Sequence, residues 1–102
     1  MKSFEKMSID ELSKHIRKAA KDTSKIIITD HAKLRMRQRK VVYQEVIHCM
    51  RNGRLLAPAE PGNAGDLVCS MNCYGSSRNI QVCVALSDEN PRLIVVTVID
   101  KS

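Results

Sequence analysis

Apolar residues recur at two different spacings along this chain, and the change falls near Gly53. On its N-terminal side Ile9, Leu12, Ile16 and Ala20 lie three and four apart, which gives a helix one apolar face. Ser8 followed by Glu11 supplies a capping box, and the pattern predicts a first helix over residues 9–21. The run "KIII" at 25–28 is β-branched and fits a brief strand or a buried lead-in. Thr29 or Asp30 then offers an N-cap for a second helix over residues 30–39. Val42, Val46, Cys49 and Met50, with Tyr43 and Ile47 beside them, mark the apolar face of a third helix that "NG" at Asn52 and Gly53 ends.

Beyond Gly53 the apolar residues alternate or run together in short stretches. "RLLA", "DLVCSMNCY", "NIQVCVALS" and "RLIVVTVI" read as strands, separated by "PAEPGNAG", "GSSR" and "DENP". The fold class that follows is α+β, with N-terminal helices packed on one face of a curved antiparallel sheet of about four strands. Centring the hairpin turn between Ser76 and Ser77 pairs Cys73 with Ile80, Met71 with Val82 and Cys69 with Val84 on one face. Cys83 then points to the other face beside Ser70, so Cys69, Cys73 and Cys83 cannot share one tetrahedral ion, and the reading is core thiols with no metal and no cofactor.

At 102 residues the chain suits a single domain over 1–102. It carries 17 Lys plus Arg against 11 Asp plus Glu, a formal charge of +6, which favours a negatively charged partner. One Phe, two Tyr and no Trp argue against a platform on which many bases stack, so phosphate contacts should dominate any nucleic-acid binding. The first residues contain no apolar stretch of signal-peptide type, and no window is long and apolar enough to span a bilayer. A cytoplasmic address with reduced thiols and no membrane partner is therefore expected.

Charge concentrates on the second helix. At about 100° per residue His31, Arg35 and Arg39 form one stripe, while Lys33, Arg37 and Lys40 occupy the far arc and face water. Leu34 flanks the stripe on one side and Ala32 with Met36 on the other, so the three cations are expected to turn inward. Inward guanidinium groups need partners: a carboxylate such as Asp66 or Glu60, a strand-end carbonyl, or a bound phosphate. Arg offers a planar fork of donors matched to phosphate oxygens, and His can move a proton near neutrality. The residues alone leave the structural and the phosphate-binding versions open. His15 and His48 read as structural or surface residues, and Tyr74, Arg78 and Asn79 flank the "GSS" turn, where a loop could present them to a ligand.

The order of an apolar "IT-HA--R---R", a short helix ending "NG" and strands closing on "IVVTVI" resembles a family of small, mostly prokaryotic proteins, domain of unknown function 4258. The resemblance runs from Ile27 to Ile99 and is carried most strongly by Thr29, His31, Ala32, Arg35 and Arg39. It makes residues 1–22 an N-terminal helical extension to a family-like core over 25–100. Lys40 and Val41 depart from the family pattern, which continues with a small polar cap. That family is similar in architecture to the RelE and barnase-like ribonuclease fold, found in toxins of toxin-antitoxin systems.

The resemblance implies a metal-independent endoribonuclease of the toxin type. In that role His31 would be acid or base and Arg35 with Arg39 would stabilise the phosphate, with Tyr74 and Arg78 as further candidates from the sheet side; Lys33, Arg37 and Lys40, outside the motif, are candidate nucleic-acid-binding residues. RNA, including ribosome-associated RNA, and an acidic antitoxin are the implied partners. Two alternatives stand beside it: a nucleic-acid-binding regulator without turnover, and a basic interaction protein docking on an acidic chain.

Overall fold

The computed structural model of the protein describes residues 7–62, 66–74, 79–87 and 90–100. Local hydrogen bonding explains where each helix begins. In α1 (Ile9–Ala19) Ser8 Oγ accepts from Glu11 N–H and Glu11 Oε1 accepts from Ser8 N–H, both at 3.1 Å. The helix stops two residues short of the predicted end, and a single 3-10 turn at Thr23–Lys25 leads into β1 (Ile26–Ile28). In α2 (Asp30–Gln38) Thr29 is the N-cap, its hydroxyl accepting from Ala32 N–H.

Between α2 and α3 (Tyr43–Asn52) the chain turns without a small polar residue. Val41 N–H donates to Met36 O at 2.8 Å and Lys40 N–H to Arg37 O at 3.3 Å, the paired bonds of a Schellman ending, and Lys40 takes the left-handed φ of 55° that such an ending requires. At the start of α3 Val42 has no side-chain oxygen, and Glu45 supplies half of a capping box by accepting from Val42 N–H at 3.0 Å. Gly53 ends α3 as its sequence position predicts, but for a different reason. Its φ is −80°, open to any residue, whereas a Cβ there would lie 2.5 Å from Cys49 O and 2.6 Å from Asn72 O. Close approach of the helix end to the sheet therefore excludes a side chain.

The remaining strands are β2 (Arg54–Leu55), β3 (Glu60–Pro61), β4 (Leu67–Tyr74), β5 (Asn79–Ser87) and β6 (Asn90–Asp100). They form an open sheet in the order β1-β6-β5-β4-β2, with β3 also paired to β4. Among the described residues the α+β architecture thus has three helices and six strands rather than about four. The sheet is mixed, because β1 runs parallel to β6 while the other pairs are antiparallel. The predicted strand "RLLA" shrinks to two residues, and "PAEPGNAG", read as a separator, contains β3. Two-residue pairings are too short to show an alternation in sequence.

The hairpin register is the one that alternation predicts: Cys73 pairs with Ile80, Met71 with Val82, Cys69 with Val84, and Ser70 with Cys83. One face of the sheet, with Cys69, Met71, Cys73, Ile80, Val82, Val84, Leu93, Val95 and Val98, is buried, and it forms a single cluster with Leu12, Ile16, Val46, Cys49 and Met50 of α1 and α3. Ser13 is buried in this layer and its Oγ accepts from Leu55 N–H at 3.0 Å, satisfying the backbone of β2. The opposite face carries half-buried Ser70, Asn72, Gln81, Cys83 and Thr97. No helix among the described residues is long and apolar enough to cross a membrane.

Candidate nucleic-acid interface

The N-terminus of α2 is tied to the sheet at one point. Thr29 N–H donates to Val95 O at 3.1 Å, and its Oγ donates to the same carbonyl at 2.9 Å. The register of β5 and β6 skips a residue here, since Cys83 pairs with Thr97 and Val84 with Val95. The bulge bends β6 beneath the helix start, and one threonine both caps α2 and holds it there. This fixes which side of α2 meets the protein.

Ala32 is fully buried and Met36 nearly so, while Leu34 remains 47% exposed. The sequence predicts burial on both flanks of the His31/Arg35/Arg39 stripe, and the structure corrects that to one. The reason is position: α2 rests on β6, beyond which, among the described residues, the sheet ends with the three-residue strand β1, so it reaches one side of the helix. The stripe occupies the shoulder of the contact. The expected inward turn of all three cations is corrected too: His31 is exposed, since the Leu34 flank beside it stays in solvent, while Arg35 and Arg39 are half-buried, with the Nε of Arg39 covered. Arg35 donates to Gln38 Oε1 at 3.2 Å within the same helix. Glu60, considered as a partner for these arginines, lies on β3 beside β4, and Asp66 just precedes β4, two places along the sheet from β6. Lys33, Arg37 and Lys40 are exposed as their arc predicts.

The family model of a domain of unknown function, DUF4258, matches residues 28–100. The chain belongs to the DUF4258 family. The DUF4258 segment takes in the last residue of β1, both α2 and α3, and the five following strands, and α1 precedes it. No curated protein and no solved structure matches the chain.

Other residues singled out in sequence fall elsewhere. Tyr74 ends β4 and Arg78 precedes β5; the side chain of the first and the whole of the second lie outside the described residues. Cys49, Cys69 and Cys73 are buried free thiols, and Cys83 lies half-buried on the opposite face with Ser70 Oγ at 3.5 Å. Burial, reinforced by the nearby Cys83, pushes the Cys69 thiol up to about 11, and burial together with Cys73 pushes Cys49 up further. His15 is half-buried beside Lys25 and Lys18, and burial first, then those charges, hold its imidazole below the usual value.

One arrangement was not legible in the sequence. On α3 the Asn52 Nδ2 donates to His48 O at 3.1 Å and approaches His48 Nδ1 at 3.2 Å. A carbonyl can only accept, so the amide nitrogen faces it, and the same nitrogen makes Nδ1 of the neutral ring an acceptor. The proton then sits on Nε2. His48 and Asn52 lie four apart, one helical turn, which is the only signal the sequence carries for this pairing.

Proposed function

We propose that the protein is a metal-independent endoribonuclease of the RelE-like toxin type, with RNA as its substrate and an acidic antitoxin as its partner. The observation that carries the reading is the shoulder of α2, where exposed His31 stands one turn before half-buried Arg35 and two turns before half-buried Arg39. Half-burial limits the motion of a guanidinium and weakens its competition with water. An exposed imidazole one turn away remains free to reach a ribose.

RNA cleavage on this site needs no bound metal. A base removes the proton of the ribose 2'-hydroxyl, the oxygen attacks the adjacent phosphorus, and the bond to the 5'-oxygen breaks as an acid protonates it, leaving a 2',3'-cyclic phosphate. His31 supplies one of the two proton transfers. Arg35 and Arg39 face the negative charge that builds on the non-bridging oxygens. Thr29 acts through position alone, by fixing the start of α2 against β6. Exposed Lys33, Arg37 and Lys40 widen the cationic surface to neighbouring phosphates.

The test is cleavage of a defined RNA by purified protein in the presence of EDTA. A cation aimed at developing charge is worth about 3 kcal/mol, so Arg35→Ala should slow cleavage about a hundredfold while melting at the wild-type temperature. His31→Ala should lose at least as much. Absence of cleavage by wild-type protein overturns the assignment. Exposure of Lys33, Arg37 and Lys40 favours a second reading, a binder without turnover, in which their replacement weakens RNA affinity as much as replacement of the stripe does. Its mark is affinity that falls steeply with salt in the absence of any product.

A further inference from the structure

A second concave region lies at the other end of the strand order from β6, along β4. Cross-strand partners share a face, so Glu60 (opposite Val68) and Arg54 (opposite Asn72) stand on the uncovered side of the sheet with Ser70 and Asn72. Between them the chain at residues 56–59 arches away from β4. A cavity of about 320 Å³ lies between this arch and the sheet, with Leu56 and Pro58 on one wall, Ser70, Asn72 and Gln81 on the other, and Glu60 at its end. A second cavity of about 320 Å³ shares Leu56 and Asn72 with the first and is bordered by His48, Asn52 and Arg54. The two therefore adjoin at Leu56 and Asn72.

Their linings differ in kind. The first offers an apolar wall facing two amides on directly paired residues, Asn72 and Gln81. Asn72 Nδ2 donates to Ser70 O at 3.0 Å, which leaves its Oδ1 to accept from a ligand. The Glu60 carboxylate is also an acceptor, so a planar group entering here must present N–H donors. The second cavity offers donors: the Arg54 guanidinium and the Nε2–H that Asn52 fixes on His48. The negative end of α3 opposes an anion here; Cys49 O accepts from Gly53 N–H and Gly53 O, just past the helix, accepts from Arg17, and the attraction for a phosphate rests on the Arg54 guanidinium.

We propose that this edge of the sheet binds a nucleotide, its base held between the Leu56–Pro58 arch and the Asn72–Gln81 amides with N–H groups on Glu60, and its phosphate between Arg54 and His48. The positions opposite Glu60 and Arg54 are four residues apart on β4, about 13 Å at the strand rise, a separation on the scale of one extended nucleotide. Charge sets the orientation. A phosphate is repelled from the Glu60 end and attracted to Arg54, whereas a base edge has the opposite preference. Guanine, with adjacent N1–H and N2–H donors, suits the two carboxylate oxygens; adenine sets an acceptor nitrogen beside its amino group and suits them less. The site is separate from α2 and does not rest on the ribonuclease reading.

Calorimetric titration of the whole chain with GMP tests it. GMP should bind saturably, guanosine more weakly, and AMP about tenfold more weakly than GMP, a charged hydrogen bond being lost. Glu60→Gln should reduce the affinity for GMP and guanosine alike by about tenfold, while Arg54→Ala should reduce only that for GMP. Both side chains are exposed, so both variants should melt with the wild type. If either fails to fold, Glu60→Asp and Arg54→Lys replace them, with the same pattern of losses at smaller size. A short guanine-containing RNA that binds more tightly than GMP, and is weakened by Glu60→Gln, identifies an RNA strand as the source; equal affinity identifies free nucleotide. No saturable GMP or RNA binding at this edge, or affinities unchanged in both variants, overturns the proposal.

Discussion

His15 shows how one side chain on a well-formed helix makes the fold sensitive to pH. Its imidazole is half-buried, and burial, Lys25 and Lys18 all disfavour the charged form, so its folded pKa lies below the ordinary 6.5. The unfolded chain, free of those neighbours, binds the proton near the ordinary value. Between the two values the unfolded state holds more protons, so stability is full above pH 6.5 and declines as the pH falls through and below it. The melting temperature is expected to drop on acidification from neutral pH, and His15→Gln should flatten that drop; a slope unchanged in the variant would assign it to other groups. Asp22 works in the reverse sense, its carboxylate stabilised by the side chain and backbone of Ser24, but it is fully exposed. Sequence placed His15 beside the apolar face of α1. It could not show that Lys25, ten residues on, returns to the same spot.

At the scale of elements, the α2–α3 junction carries a strain that its neighbours tolerate. Lys40 holds a φ of 55° in a Schellman ending where glycine is the usual occupant, because the 2.8 Å bond from Val41 N–H to Met36 O requires that conformation. A side chain with a Cβ costs about 1 kcal/mol there. Lys40→Gly is therefore expected to raise stability by about 1 kcal/mol in a denaturant titration, less whatever the lysine side chain contributes. The departure from the family pattern at Lys40 and Val41 is thus a change in how the turn is made rather than a loss of the turn. Helix starts were legible because caps act within three or four residues, as at Ser8 with Glu11 and Thr29 with Ala32. The exposure of Leu34 was not, since it depends on how far the sheet extends beneath α2.

For the whole molecule, α1 is more than an addition to the family segment. Leu12 and Ile16 are buried in the same cluster as the core face of the sheet, and each such side chain is worth about 1.5–3 kcal/mol against a total stability of about 5–15 kcal/mol. A chain lacking residues 1–22 is expected to lose cooperative unfolding in a thermal melt; a sharp transition close to that of the full chain would show the family segment to be independent. Charge is also distributed at this scale, with α2 on β6 and the Glu60–Arg54 edge on β4 separated by β5. What the sequence by itself determined is local or strictly periodic: the three helices, the β4–β5 hairpin with its register, and the exposure of Lys33, Arg37 and Lys40 on one arc of α2. Those follow from bonds spanning a few residues and from a side-chain period of two or 3.6. Only the tertiary structure decided that β1 pairs in parallel with β6, that one flank of α2 stays in solvent, and that Glu60, Asn72 and Arg54 share a face. Each depends on contacts between residues far apart in the chain, whose partners no local pattern specifies.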